Sequence, residues 1–74
     1  MASYLLKCLD APLNQSGIGS VTLSYDFDVE DDLKAVAVAI EYFADELAAA
    51  PYAELLRNPN APWAVSVRVW HGAP

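Results

Sequence analysis

Apolar and polar residues alternate most regularly between Val21 and Phe27, where Val21, Leu23, Tyr25 and Phe27 interleave with Thr22, Ser24 and Asp26. A period of two gives a strand with one apolar and one wet face. Asp26 and Asp28 then leave the wet face as the strand ends. Tyr4 to Leu9 is a short apolar run broken only by Lys7, and its length and bounding turn residues predict an earlier strand. Between the two, Asp10 to Gly19 carries Pro12, Asn14, Ser16, Gly17 and Gly19, which is loop chemistry and longer than a common hairpin connection. A last strand is predicted over Trp63 to Trp70, with Val65, Val67 and Val69 facing one way and Ala64, Ser66, Arg68 and Trp70 the other.

A period between three and four replaces the period of two after Asp28. Val29, Leu33, Val36, Ile40, Phe43 and Leu47 recur at helical spacing and predict a core-facing stripe, widened by Ala37, Ala44 and Ala48. Lys34, Glu41 and Asp45 fall on the opposite side, with Val38 among them. Asp28 suits the N-cap and Asp31 the acid of a capping box, while Glu30, Asp31 and Asp32 suit the positive end of the helix dipole. Pro51 stops this helix near Ala49 and opens a second, short helix running to about Arg57. Asn58-Pro59-Asn60-Ala61-Pro62 breaks the chain again.

A long helix with one apolar stripe needs a flat apolar surface, and strands supply one. The expected fold is therefore α+β. It is a two-layer sandwich in which a three-stranded sheet is packed by one long helix, in the order β-β-α-(short α)-β. Pairing of the last strand beside the first makes the sheet wholly antiparallel, the arrangement we expect; pairing beside the second would need a parallel crossover.

Length and composition sharpen this picture. The 74 residues, 1–74, make one domain. A chain of this size buries only about 60% of its unfolded surface. A hydrophobic share of 55% supplies a core and leaves apolar side chains for a partner or for a homo-oligomer interface. The single cysteine, Cys8, allows no intrachain disulfide, which fits a reducing cytoplasm. No segment approaches the ~20 apolar residues of a membrane span. The start of the chain lacks a basic region and a long apolar stretch, so no secretory signal is expected.

Charge is the most polarised property. Nine of the ten acidic residues lie between Asp26 and Glu54, where Lys34 is the sole base, and five of them are Asp26, Asp28, Glu30, Asp31 and Asp32. Residues 1–25 sum to zero, 26–54 to −8 and 55–74 to +2. Such a field repels nucleic acid and attracts basic surfaces. The bases Lys7, Lys34, Arg57 and Arg68 are too scattered to neutralise a phosphate track, so direct nucleic-acid binding is not expected.

Candidate chemistry is sparse. Asp26-x-Asp28-x-Glu30 matches the opening ligands of a calcium loop, but Asp31 stands where that loop needs glycine and Ala37 where it needs glutamate, so no metal is expected. The acids fall on solvated positions and not in a cleft that would raise a catalytic carboxyl. Cys8 and His71 are the only thiol–imidazole candidates, and nothing in their spacing supports a pair. Gly17-x-Gly19 lacks a third glycine and leads into a strand, so no phosphate loop or cofactor is expected.

The expectation is a non-catalytic, cytoplasmic protein that binds a basic surface of a partner and inhibits it. Asp26, Asp28, Glu30, Asp31, Asp32, Glu41 and Asp45 would supply steering and register. Trp70, with Tyr42, Tyr52 and Trp63, would supply aromatic anchorage. Glu41 and Asp45, four apart on one helix, would lie about 5–6 Å from each other. Carboxylates so spaced can fill an Arg/Lys groove that normally holds a phosphate backbone, in the manner of a DNA mimic. In size, charge and lack of catalytic apparatus the whole chain resembles the small phage-encoded inhibitors of bacterial defence, the anti-CRISPR and anti-restriction proteins. That resemblance implies a nucleic-acid-handling complex as partner, occluded at its nucleic-acid site in the host cytoplasm. Immunity proteins and antitoxins share the same character. The alternative is a structural or assembly protein whose apolar surplus builds an oligomer.

Overall fold

The computed structural model describes residues 1–10 and 21–71. Its elements are β1 (Ala2–Leu9), β2 (Val21–Val29), α1 (Asp32–Tyr42), α2 (Ala44–Ala49), β3 (Tyr52–Arg57) and β4 (Val65–Trp70). The strands form one sheet in the order β2-β1-β3-β4, antiparallel at every step. The α+β class expected from the sequence is present, but the sheet has four strands. The loop expected over 10–19 lies, beyond Asp10, outside the described residues.

The additional strand, β3, replaces the short helix expected after Pro51. Tyr52-Ala53-Glu54-Leu55-Leu56-Arg57 lacks alternation and is rich in helix formers, which favours the helical reading locally. Its place between β1 and β4 decides otherwise, because ladders on both sides satisfy its backbone and bury Tyr52, Ala53 and Leu55. β3 also separates the last strand from the first, so β4 does not pair with β1.

Tyr4, Leu6 and Cys8 of β1 and Ala53 and Leu55 of β3 form the core with Ala35, Ala39 and Leu47 from the helices. Leu23, Phe27 and Val29 of β2 flank it, and the rings of Tyr4 and Phe27 stack at 5.8 Å. On the opposite sheet face, register aligns Leu5 with Leu56, Lys7 with Glu54 and Leu9 with Tyr52.

The helical region differs from expectation in three respects. Val29 ends β2, and the N-cap is Asp31, whose Oδ1 accepts the Lys34 N–H at 2.9 Å. The helix also breaks at Phe43, which caps α1 and opens α2 with φ −129° and ψ 28°. Finally, the core side of α1 is Ala35 and Ala39, both fully buried, while Leu33 is 83% and Ile40 46% exposed. Alanine lets the helix backbone approach the sheet closely, and that contact outweighs the burial of larger side chains on a different arc.

In β4 the ladder pairs Leu56 with Ser66 but Leu55 with Arg68, so Val67 is an inserted bulge residue. The bulge breaks the expected alternation of Val65, Val67 and Val69 against Arg68 and Trp70. Trp70 lies opposite Ala53 and packs on the core, not on the uncovered face. Asn58, at φ 53°, turns the chain out of β3, a left-handed conformation asparagine tolerates better than most residues.

Candidate functional site

The acidic residues gather where β2 runs into α1. Asp26 and Asp28 stand on the sheet face away from the helices, opposite Leu5 and Ser3 of β1, and both are exposed. The Ser3 hydroxyl donates to Asp28 Oδ1 at 3.0 Å and fixes that carboxylate. Glu30 and Asp31 follow in the exposed bend, and Asp31 is held by its capping bond. A depression of about 150 Å³ opens beside Asp26 and Asp28, closed by Ser3, Tyr4 and the Pro59–Asn60 turn.

Asp32 behaves differently from its neighbours. Tyr4 Oη donates to its Oδ1 at 2.6 Å, and Arg57 Nη1 donates to its Oδ2 at 2.8 Å. The first residue of α1 is thereby tied to β1 and β3. The Tyr4 hydrogen bond above all, aided by the Arg57 guanidinium, holds the Asp32 carboxyl below the usual range, although partial desolvation opposes them. Tyr4 is pushed up to about 12, chiefly by burial and then by the bond to Asp32. Asp32 is therefore a structural member of the group, and its charge is offset by Arg57. Among the described residues this is the single ion pair.

The remaining expected acids do not join this corner. Glu41 lies near the end of α1, ten residues beyond Asp31, or ~15 Å along the axis. Asp45 belongs to α2, and the break at Phe43 removes the four-residue helical spacing expected between it and Glu41. The seven expected carboxylates thus do not form one face; five adjoin at the β2–α1 corner and two lie apart. Trp70 is half-buried against the core, with the Arg68 guanidinium 5.3 Å from its ring centroid.

Other candidate chemistries can be placed as well. Cys8 is buried on the helix side of the sheet, and burial, then Glu46, pushes its thiol up. His71 meets the Tyr52 ring edge-on at 5.8 Å, on the other side of the sheet, so the thiol and imidazole do not form a pair. Burial and then Glu54 raise Tyr52 as well. A hollow of about 370 Å³ lies between Leu23, Glu46 and Pro51 at the far end of the sheet, with Cys8 in its wall. Sequence periodicity gives no sign of it, because its walls come from separate elements.

Among the described residues no three of His, Cys, Asp and Glu are grouped to hold a metal ion, and no helix is long and apolar enough to cross a membrane. Compared with known proteins, the chain matches no family model, no curated protein and no solved structure.

Proposed function

We propose that the chain is a non-catalytic binding protein whose β2–α1 corner docks on a basic surface of a partner protein and blocks it. The observation that carries this reading is the exposure of Asp26, Asp28, Glu30 and Asp31 within six residues, where Arg57 is already engaged by Asp32 and Lys34, in the first turn of α1, is the nearest base in sequence. Asp28 is held by the Ser3 hydroxyl and Asp31 by its capping bond, so these two carboxylates lose little side-chain freedom when a cation arrives. Their summed field steers a cationic patch toward the corner and disfavours nucleic acid. The partner that fits is a protein that itself holds nucleic acid, and the effect on it is occlusion of its nucleic-acid site. The resemblance to phage-encoded inhibitors of bacterial defence belongs to this reading.

The test is displacement of a labelled duplex from a panel of nucleic-acid-binding proteins. Wild-type chain should displace the duplex from at least one of them. Asp26→Lys with Glu30→Lys should not, because those residues carry charge without capping α1 or holding Tyr4. Equal displacement by both forms, or none across the panel, would reject the reading.

A further inference from the structure

We propose that α1 is also a dimerisation helix, by which two copies of this chain pack antiparallel along Leu33, Ala37 and Ile40. This goes beyond the acidic-corner reading and does not depend on it. The helix gives its small residues, Ala35 and Ala39, to the sheet and turns a leucine that is 83% exposed and an isoleucine that is 46% exposed toward solvent. Leu33, Ala37 and Ile40 follow at intervals of four and three, so they share one arc two turns long. A continuous apolar seam of that kind is the geometry by which helices pair.

The charges beside the seam identify the occupant as a second copy. Lys34 and Glu41 are seven residues apart and flank the seam on the same side. Neither makes an ion pair within the chain among the described residues. A two-fold axis through Ala37 places Lys34, three residues before the axis, level with the partner copy's Glu41, four residues after it, and repeats the contact by symmetry. A parallel pair would instead put each Lys34 on the opposite side of the seam from the partner copy's Glu41, with no charge match, and bring both acidic helix starts together. The antiparallel pair separates those starts by about 16 Å, the length of α1. Ala37 on the axis permits close approach, within the ~8–10 Å of packed helices. A seam this short lies at the small end of specific interfaces, so association is weak and depends on concentration.

Sedimentation equilibrium over micromolar to millimolar chain tests this directly. Wild type should pass from monomer to dimer across the range. Leu33→Glu should weaken dimerisation by about tenfold or more, equivalent to the loss of one good contact, with an unchanged circular dichroism spectrum. Lys34→Glu and Glu41→Lys should each weaken it, and the double exchange should restore it. A wild-type chain that stays monomeric leaves the seam to a different protein and overturns the proposal. Dimers indifferent to Leu33→Glu, or a double exchange that fails to rescue, overturn it too.

Discussion

The hydroxyl of Tyr4 donates to Asp32 Oδ1 at 2.6 Å, joining the second residue of β1 on the core side to the first residue of α1 across 28 positions of sequence. Arg57 takes the other carboxylate oxygen, so one side chain ties three elements together. The phenol is buried while the ion pair is partly open to solvent, with side chains 36% and 43% exposed. The buried hydrogen bond is therefore the larger contributor, because a partly exposed ion pair is screened. Removing the hydroxyl in Tyr4→Phe should cost roughly 1–3 kcal/mol, the range for a hydrogen bond to a charged group. The midpoint of urea unfolding measures it.

Burial of Tyr4, and then this bond, sets an alkaline limit. Tyr4 loses its proton at about 12 in the folded chain, against an ordinary value of 10.0. Its raised value means that stability is intact below pH ~10 and falls as pH rises toward the folded value. In an ultraviolet titration of the four tyrosines, Tyr4 and Tyr52 should ionise late. Tyr4→Phe should delete the component near 12 and leave the Tyr52 component in place.

Asp32 works in the opposite direction. Its carboxyl is held below the ordinary range, so its contribution is present above pH ~4 and disappears as pH falls through the lowered value. Unfolding midpoints measured down the acid limb should fall more steeply for wild type than for Asp32→Asn. Parallel acid limbs would remove Asp32 from the account of acid stability.

Ala39 and Leu33 reverse the usual ranking of side chains by size. Ala39 is fully buried against the sheet and Leu33 is mostly exposed. Ala39→Leu should therefore destabilise by ~1–3 kcal/mol through overpacking. At low micromolar chain, where the seam is unpaired, Leu33→Gln should change stability by no more than about 0.5 kcal/mol. Chemical denaturation of the two variants beside wild type decides the point.

That reversal shows how far the sequence could be read. α1 is apolar around most of its circumference, with only Lys34 and Glu41 polar between Leu33 and Tyr42, so periodicity does not fix which arc meets the sheet. Counting large side chains selects Leu33 and Ile40, whereas close backbone approach selects Ala35 and Ala39. β2 alternates and was legible at once; β1 was legible as a short apolar run. β3 was not, because its pairing with β1 and β4 outweighs the helical preferences of its residues and no local signal carries that. The approach of Arg57 to Asp32 carries no local signal either, since the two meet only when β3 lies beside β1. The acidic group from Asp26 to Asp32 was visible from composition alone; its division into exposed carboxylates and one tethered carboxylate was not.

The central claim is that exposed carboxylates at the β2–α1 corner engage a cationic protein surface. The most direct measurement is the affinity of that partner for wild type and for Asp26→Lys with Glu30→Lys, across salt from about 0.05 to 0.5 M, where the Debye length shrinks severalfold. The account predicts that wild-type binding weakens steeply with salt and that the double variant binds poorly at every concentration. Affinity that is flat in salt and equal for the two proteins would contradict it.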